Sequence, residues 1–356
     1  MKKICVIFGG SSTEHDISVI TGMQLVKNVK QHFDLEVVYL SRENKFYLAS
    51  KVDEISAFSP NNNLKLKEIG FCDGSAVLIK NKKKLFEVEC VINCCHGGVG
   101  ENGDLAGYFN LNKIRYTSSS SLASHLAMDK TLAKTLVQDF VPVVRGKLVT
   151  KLNYNSAVQE IKEDFSEDII VKPNSLGSSI GVKACNKDNF TEQIDAIFEL
   201  NDNALVEERI VKIKEYNQAA LVTKNGIILS AIEHPLTKSD FLTFDDKYRH
   251  GKMKGKDREL PAKLSKELEK KISSATKQIV ERLSLSGVVR VDYIFDEETK
   301  MVYFNEVNTI PGSMAFYLFE EVGIDYITLI EKLIENATEP QKFTNIDTNI
   351  LKSVKL

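Results

Sequence analysis

The sequence predicts an α/β protein: a parallel-sheet domain at the N-terminus, followed by an α+β part in which strands and helices are mixed. Two observations predict the first domain. The apolar run Ile4–Phe8 leads through a Gly/Ser-rich turn into a helix, and the apolar runs Leu35–Leu40 and Val91–Cys95 also end at polar or Gly-rich turns, as parallel strands do at the carboxyl edge of a sheet. A third observation predicts the second part: two strands, Val288–Phe295 and Met301–Asn308, are joined by a short connection.

The length of 356 residues suggests two or three domains, at roughly 100 to 200 residues per domain. Lys plus Arg number 47 against 49 Asp plus Glu, and the net charge of -2 supplies no bulk positive charge for coating nucleic acid. No stretch approaches the roughly 18 consecutive apolar residues of a membrane span, and the N-terminal apolar run is too short for a signal peptide. We therefore expect a cytoplasmic protein that binds neither nucleic acid nor membrane.

The first helix is predicted after the first strand, because apolar residues recur at i, i+4 and i+7 from Val19. Its start has two interpretations. Ser11-x-x-Glu14 is a capping-box pattern that suffices for a helix start, whereas Glu14 could instead serve a function. The following segment, Phe46–Lys84, shows no clear period, and only its Pro60–Asn63 and Lys82–Lys84 runs carry a prediction, which is of exposed turns.

The loop after the strand Val91–Cys95 satisfies a binding motif, because Gly98–Gly103 matches the GxGxxG pattern of dinucleotide sites. That fingerprint also requires an acidic residue at the end of a following strand, and the region here is serine-rich and then helical. His96 and Glu101 lie in this Gly-rich loop, where a functional role and a structural role are equally compatible with the pattern.

The cysteines permit a second hypothesis for the same region. Cys90, Cys94 and Cys95 with His96 could form a zinc cluster, but no CxxC-type pair exists. The cysteines flank an apolar dipeptide, which favours buried small side chains over metal ligands.

The middle of the chain changes pattern beyond Ser118–Ser121, a serine cluster that marks a helix start and a plausible domain boundary. A helix is predicted near Leu132–Gln138. The apolar run Asp168–Val171, the Gly/Ser loop Gly177–Gly181 and the residues after that loop predict a strand, a loop and a second strand. A long amphipathic helix is predicted where apolar residues from Leu268 to Ile279 fall on one face.

A phosphate-binding function is one interpretation of that Gly/Ser loop. Lys172 precedes a run of small residues whose backbone N–H groups and hydroxyls could approach phosphate oxygens. The loop is not a Walker A motif, because GxxxxGK[ST] occurs nowhere in the chain, and a flexible hairpin loop is the alternative.

The final pair of strands carries the strongest constellation of polar residues. Side chains alternate between faces of a strand, so Arg290 and Asp292 share one face, and Glu306 and Asn308 share one face of the partner. A five-residue turn places Arg290 opposite Glu306. Two carboxylates and an amide oxygen are ligands that Mg²⁺ prefers, but an Arg290–Glu306 salt bridge on a solvated face fits the pattern as well.

These residues together resemble the D-alanine:D-alanine ligases, a family of the ATP-grasp superfamily, and the resemblance covers nearly the whole chain. Any one motif is weak, but seven in the same order are specific. The matching segments are Gly9-Gly10-x-Ser12-x-Glu14-x-x-Ile17-Ser18, His96-Gly97-x-x-Gly100-Glu101-x-Gly103, Met128-Asp129-Lys130, Val171-Lys172-Pro173 with Gly177-Ser178-Ser179-x-Gly181, Lys247-Tyr248, Arg290-Val291-Asp292 and Glu306-Val307-Asn308-Thr309-x-Pro311-Gly312.

The resemblance implies three domains: an N-terminal α/β substrate-binding domain (1–128), a central ATP-grasp subdomain with the Gly/Ser loop (129–206) and a C-terminal ATP-grasp domain with a flap and a metal site (207–356). It implies an ATP-dependent ligase that joins two D-alanines through a D-alanyl phosphate for peptidoglycan precursors. It further implies Mg²⁺ or Mn²⁺, with two ions, ATP as co-substrate, and a homodimer.

The resemblance also assigns roles to individual residues. The catalytic set is Glu14, Ser178, Tyr248 and Arg290. The substrate-binding set is Glu14, His96, Arg290, Gly312 and Tyr317. The ATP-binding set is Lys130, Lys172, Ser178, Ser179, Glu208, Glu215 and Lys247. The metal ligands are Asp292, Glu306 and Asn308.

Two positions bear on the second substrate. Tyr317 stands where the commonest family pattern has a serine, so the carboxylate of the acceptor needs another anchor, such as the Tyr317 hydroxyl or the backbone of Gly312. Tyr248, in a flap expected over Ser239–Glu259, favours an amine acceptor over D-lactate. The alternatives are a ligase with D-serine as acceptor, since a pocket rejects an added hydroxyl poorly, and a nucleotide-binding protein without ligase activity.

Overall fold

The computed structural model describes residues 2–59, 62, 64–200, 202–236 and 258–340. The strands are β1 (Lys2–Gly9), β2 (Leu35–Leu40), β3 (Phe46–Leu48), β4 (Lys67–Cys72), β5 (Ser75–Leu78), β6 (Lys84–Asn93), β7 (Gly146–Val149), β8 (Asp168–Pro173), β9 (Lys183–Asn186), β10 (Ala204–Glu208), β11 (Ile213–Thr223), β12 (Gly226–Pro235), β13 (Arg258–Glu259), β14 (Val288–Asp296) and β15 (Val302–Asn308). The helices are His15–Val29, Gly98–Glu101, Asp104–Leu111, Ser121–Met128, Lys130–Val137, Tyr154–Asp164, Phe190–Glu199, Lys266–Arg282, Phe316–Glu320 and Tyr326–Glu335. Two short 3₁₀ turns add Ile55–Phe58 and Gly312–Ala315. Within these residues, no helix combines the length and apolar character that crossing a bilayer requires.

The N-terminal sheet has the order β1-β2-β3-β4-β5-β6 and closes on itself, because β6 also pairs with β1. Its centre is parallel, since β1 runs parallel to both β2 and β6, which confirms the predicted parallel strands. Lys82 and Lys83 lie in the exposed connection between β5 and β6, as predicted for the Lys-rich run, and Pro60, Asn61 and Asn63 lie outside the described residues. No strand was predicted in Phe46–Lys84, but β3, β4 and β5 lie there as an antiparallel part of the sheet. These strands are only three to six residues long, so their side-chain alternation is too brief to be recognised in the sequence.

The first helix, His15–Val29, packs directly on β1. Gly22 permits this close approach, because a Cβ atom at this position would lie 2.2 Å from a ring atom of Phe8. β1 and β6 are parallel neighbours, so both end at the carboxyl edge of the sheet. The loop after β1 and the loop after β6 therefore lie side by side at that edge. This edge faces the rest of the chain.

Two further sheets complete the architecture. One has the order β7-β10-β8-β9, and the other has the order β13-β12-β11-β14-β15. The predicted strand-loop-strand unit is confirmed by the antiparallel pairing of β8 with β9, in which Val171 lies opposite Lys183. The helix Lys266–Arg282 covers one face of the five-stranded sheet, with Ile272 and Ile279 among the buried side chains that meet Val289 and Val291. The opposite face carries the polar side chains Arg290 and Asp292, next to Leu221 and Val288, which pack in a separate buried cluster.

The predicted register of the last two strands was wrong by two residues. Arg290 lies opposite Asn308, and Asp292 lies opposite Glu306. The connection is one residue longer than expected, since Phe295 pairs with Val302. One more residue, Asn305, is inserted where the register shifts between Asp292 and Tyr293. Such a bulge re-aims side chains on the bulged strand, and here it places both Asn305 and Glu306 on the wall of a cleft.

The close packing at Gly22 leads to a first prediction. We expect Gly22→Ala to lower the free energy of unfolding by about 1–3 kcal/mol, the usual cost of overpacking a core, because Phe8 is fully buried. Gly107→Ala is the matched control, since its Cβ would lie 3.5 Å from the nearest atom and alanine is the better helix former. Denaturant unfolding of both variants checks this. Equal stability of Gly22→Ala and the unsubstituted chain would contradict the packing described.

Candidate active site

A row of polar side chains crosses the open face of the five-stranded sheet. Glu233 on β12 lies opposite Asn217 on β11, Asn217 lies opposite Asp292 on β14, and Asp292 lies opposite Glu306 on β15. Residues directly opposite each other in a sheet share a face, so all four point to the same side. Arg290 and Asn308 form part of the next row. The predicted convergence of Arg290, Asp292, Glu306 and Asn308 on one face is therefore confirmed, although their partners differ from those expected.

Each of the two strand carboxylates is held by a cation. The Arg290 guanidinium donates from Nε and Nη2 to the two oxygens of Asp292, both at 2.7 Å. The amide of Asn308 donates to Asp292 Oδ2 at 3.0 Å, and Lys130 Nζ lies 3.3 Å from Glu306 Oε2. The Arg290–Glu306 salt bridge, which was the alternative to a metal site, is replaced by these pairs, because the register places Asn308 and not Glu306 opposite Arg290.

The donor set of this region suits a hard cation. Two carboxylates on neighbouring strands and one amide oxygen are the chemistry of Mg²⁺ sites that share the ion with substrate phosphates. Among the described residues, no group of three or more His, Cys, Asp and Glu side chains that could hold a metal by itself occurs.

A buried ion triad lies across the cleft from the strand carboxylates. Lys172 Nζ lies 2.6 Å from Glu207 Oε2, and Lys134 Nζ donates to Glu207 Oε1. Lys172 also donates to Asn305 Oδ1 at 3.2 Å, which links the two sheets. Burial by itself would raise the pKa of Glu207, but the two lysines lower it to about 2. Burial lowers the pKa of Lys134 to about 8, although Glu207 opposes this shift.

Sequence reasoning missed Lys134 and the role of Glu207. Lys134 follows Lys130 by one helical turn, so the two share a helix face, and this spacing was an available signal. Glu207 ends an apolar run on β10, and its 3% exposure could not be inferred because its partners lie on two other elements.

The cleft between the two C-terminal sheets gathers most of the predicted ATP-binding residues. Lys130, Lys172 and Ser179 line it, as do Glu208 and Glu215, and Lys247 lies outside the described residues. Its wall combines charged groups with an apolar surface, which suits a ligand with a polar and an aromatic end. The apolar lining residues are Val144, Ile170, Leu176, Val182, Ile210, Ile213, Tyr293 and Ile294.

A second, smaller cavity adjoins this cleft and shares Lys130, Leu176 and Glu306 with it. Glu14 lines this cavity, and its carboxylate accepts a hydrogen bond from Ser178 Oγ. The capping-box interpretation of Glu14 was wrong. In the described structure its side chain makes no capping bond, and the Ser11 N–H donates to Asn44 Oδ1 at 3.0 Å instead.

Glycines allow this loop contact between domains. A Cβ atom at Gly97 would lie 2.7 Å from Glu14 Oε2, and one at Gly177 would lie 3.0 Å from the same oxygen. Gly97 also has a φ of +62°, which disfavours other residues. The three loops that meet at Glu14 thus depend on small residues for their approach.

His96 and Glu101 hold neighbouring loops together by hydrogen bonds, and neither residue lines the main cleft. The His96 ring bonds through Nδ1 to the Ile310 carbonyl at 2.7 Å and through Nε2 to the Thr21 hydroxyl at 2.9 Å. Glu101 accepts hydrogen bonds from the backbone N–H groups of Gly97 and Ile310 at 2.7 and 2.8 Å. Burial lowers the pKa of His96 and raises that of Glu101 to about 7.

The cysteine hypotheses are also resolved for the described residues. Cys90, Cys94 and Cys95 are free and buried, and burial raises the pKa of each thiol. This confirms their interpretation as small buried side chains.

The residues predicted for the second substrate lie apart from these cavities. The Tyr317 hydroxyl donates to Glu233 Oε2 at 3.0 Å, and a Cβ atom at Gly312 would meet nothing within 4 Å. Tyr248 and residues 239–257 of the expected flap lie outside the described residues; of that segment, only Arg258–Glu259 is described, as β13.

Comparisons with known proteins cover the whole chain. A family model for the D-ala D-ala ligase N-terminus matches residues 3–119, and one for the D-ala D-ala ligase C-terminus matches residues 133–335. A D-alanine–D-alanine ligase of Campylobacter jejuni is 34% identical and covers 99% of this chain and 98% of the relative. One from Thermosipho melanesiensis is 30% identical over 99% of each chain.

Solved structures of ligases are also similar to this chain over almost its whole length. The D-alanine–D-alanine ligase from Helicobacter pylori matches with a TM-score of 0.77 and 27% identity, over 96% of this chain and 100% of that chain. The VanG D-Ala:D-Ser ligase from Enterococcus faecalis matches with a TM-score of 0.79 and 27% identity, over 94% of this chain and 98% of that chain.

The buried triad leads to a second prediction. Glu207→Gln removes the charge between two buried ammonium groups, so we expect the free energy of unfolding to fall by about 3–5 kcal/mol. Glu208→Gln is the control: this half-exposed carboxylate lies 3.7 Å from Arg145, and we expect a change below about 1 kcal/mol. Denaturant unfolding measures both.

The same variants predict a pH dependence. Because the pKa of Glu207 is lowered from 4.5 to about 2, its stabilising contribution is present above pH 4.5 and is lost as the pH falls toward 2. The difference in stability between Glu207→Gln and the unsubstituted chain should therefore narrow over that interval. A constant difference would contradict the ion triad.

Proposed function

Since this chain belongs to the D-alanine–D-alanine ligase family, we propose that it is an ATP-dependent ligase that joins two D-alanine molecules for peptidoglycan precursors. The observation that carries this proposal is the union of two cavities at Lys130 and Glu306: the larger holds the predicted ATP-binding groups, and the smaller holds Glu14. A carboxylate substrate beside Glu14 would then lie next to the phosphate end of the cleft.

The proposed reaction has two steps. The carboxylate of the first D-alanine attacks the γ-phosphorus of ATP, ADP leaves, and an acyl phosphate forms. The amine of the second D-alanine then loses a proton and attacks the acyl carbon, and inorganic phosphate leaves as the peptide bond forms. Phosphoryl transfer depends mainly on positioning and on neutralising charge, so a site rich in cations fits it.

The ATP-binding groups divide by chemistry. Lys130 and Lys172 contact phosphate oxygens, and the loop with Ser178 and Ser179 lies beside them. Both serines lie in the loop that connects the paired strands β8 and β9, and both have left-handed φ values, of 56° and 57°. Glu208 and Glu215, which also line the cleft, hold the adenine and ribose, and Lys247 contacts phosphate.

The first D-alanine binds through its ammonium to Glu14, with Ser178 and Tyr248 as hydrogen-bonded partners. Support comes from the burial of Glu14, which is 8% exposed and carries a negative charge that an ammonium group would neutralise. His96 acts on this subsite through the loop that it braces, because both of its ring nitrogens are engaged by the protein.

Mg²⁺ or Mn²⁺, with two ions, fits the oxygen donors of Asp292, Glu306 and Asn308. When bound, the metal neutralises phosphate charge and orients the triphosphate. Arg290 stabilises the oxyanion that develops when the acceptor attacks. Its guanidinium has further N–H donors beyond the two that reach Asp292, so it can contact a substrate oxygen while it remains held.

We further propose a homodimer that acts in the cytoplasm on small-molecule substrates. A D-serine acceptor is the second candidate function, favoured by the similarity to the VanG D-Ala:D-Ser ligase and by Tyr317 in place of a serine. The two differ by one hydroxyl on the acceptor, which a pocket distinguishes weakly.

The proposal predicts the outcome of one assay. Phosphate release from ATP and Mg²⁺ should require D-alanine, and mass spectrometry should identify D-alanyl-D-alanine as the product. Parallel reactions with D-serine, D-lactate, L-alanine or no addition are the controls. A mixed product with D-serine would support the second candidate, and absence of release from a folded chain that binds ATP would refute ligase activity.

A further prediction concerns Glu14. Glu14→Gln keeps an acceptor for Ser178 but removes the charge, so we expect the lower of the two Michaelis constants for D-alanine to rise about tenfold or more. Asp16→Asn is the matched control, because that neighbouring carboxylate is 76% exposed and pairs with Arg42. An unchanged Michaelis constant in Glu14→Gln would remove Glu14 from the first subsite.

A further inference from the structure

A cluster of charged and aromatic side chains lies at the β12 end of the polar row. Arg258 Nη1 lies 3.1 Å from Glu233 Oε1, and the Arg258 guanidinium stacks on the Tyr317 ring at 4.4 Å from its centroid. Tyr317 donates to the other oxygen of Glu233. Glu233 lies in the same row of the sheet as Asp292, which holds Arg290, so the cluster lies on the same face as the group placed at the reacting carbon.

We propose that Arg258 binds the carboxylate of the acceptor amino acid, and that Glu233 and Tyr317 position it. The inference rests on the proposed ligase reaction and deepens it by assigning the acceptor subsite. Arg258 would therefore contribute to selecting acceptors that carry a carboxylate.

The order of groups across the sheet places the acceptor at this end. The cavity with Glu14 is lined by Glu306, Val307 and Asn308, which belong to β15. β14, with Arg290, lies next to β15, and β12 lies two strands further, at roughly 4.8 Å per strand. The first substrate thus occupies the β15 side of Arg290, and an acceptor that attacks its acyl carbon has the β12 side available.

The chemistry of the cluster fits a carboxylate ligand. The carboxylate of an α-amino acid lies two bonds from the attacking amine, so its anchor must be a cation just beyond Arg290. Arg258 is such a cation, and its planar fork has five N–H donors, of which the contact with Glu233 engages one terminal nitrogen. Its side chain is 19% exposed, so part of the guanidinium is accessible to a ligand.

Tyr317 supports Arg258 rather than replacing it. A phenol has a single O–H proton, and that proton is donated to Glu233. Burial raises the pKa of Tyr317, so the hydroxyl stays protonated and this bond persists. Glu233 is 2% exposed and is satisfied by Tyr317 and Arg258, which makes it an internal support for the guanidinium. The aromatic platform and the carboxylate together hold the fork in one orientation.

The test is a competition between two acceptors. The full chain receives ATP, Mg²⁺ and equal concentrations of D-alanine and D-alaninamide, which lacks the carboxylate and so serves only as an acceptor. Mass spectrometry gives the ratio of D-alanyl-D-alanine to D-alanyl-D-alaninamide. Arg258→Gln should reduce this ratio about tenfold to a hundredfold, the factor expected when a charge-assisted hydrogen bond is lost.

Two further variants sharpen the result. Arg258→Lys should give an intermediate ratio, because lysine keeps the charge without the fork. Arg282→Gln is the matched control, since Arg282 also pairs with a carboxylate, Asp139, and stacks on a ring, Phe140, but lies on the helix behind the sheet. Its ratio should not change.

Each outcome decides the inference. An unchanged ratio in Arg258→Gln overturns it, and if that variant does not fold, an unchanged ratio in Arg258→Lys does the same. An equal fall in Arg282→Gln would also overturn it, because the effect would then not depend on the acceptor subsite. If the unsubstituted chain forms neither product, the proposed ligase function itself fails, which is a separate result.

Discussion

The pairing of β14 with β15 is the constraint on which the site depends. Asn305 is an inserted residue in β15, and because of it Asp292 lies opposite Glu306. Arg290 then forms its ion pair with Asp292 on its own strand. The same insertion gives Lys172 a partner on the opposite sheet, which closes the cleft around its charged end. Without the bulge, the period of two along β15 would turn Glu306 toward the helix-covered face. The bulge therefore sets the position of Glu306 relative to Asp292, and that of Asn305 relative to Lys172.

Opposite charges pair in the cleft and in the neighbouring cluster around Glu233, and this pairing makes buried ions tolerable. Lys134 and Lys172 share Glu207, Arg290 holds Asp292, and a second guanidinium and a tyrosine satisfy Glu233. A charged ligand can then exchange partners with these groups instead of meeting desolvated, uncompensated ions. The arrangement is preorganised for an anionic substrate because its cations are already oriented before binding.

Long apolar or amphipathic segments were the most predictable parts of the fold. The central strands follow from continuous apolar runs, because a strand such as β1 is buried on both faces. The first helix and the helix Lys266–Arg282 follow from periodicity, because each buries one face. The short strands β3, β4 and β5 were not predictable, since three to six half-buried residues carry too little pattern. Among site residues, the strand carboxylates and the lysine before the Gly/Ser loop were predicted from residue type and alternation. Lys134 was overlooked because its partner lies 73 positions away.

The sequence by itself determined the fold class, the motifs of the family and which side chains share a face of each strand, because these depend on local spacing. Only the tertiary structure decided which faces meet. It replaced the capping role of Glu14 with a contact to Ser178, which is 164 positions away, and it gave His96 two protein partners. It also joined Tyr317, Glu233 and Arg258, which come from three separate elements. Such contacts depend on register, loop length and packing between sheets, and none of these is encoded in the spacing of neighbouring residues.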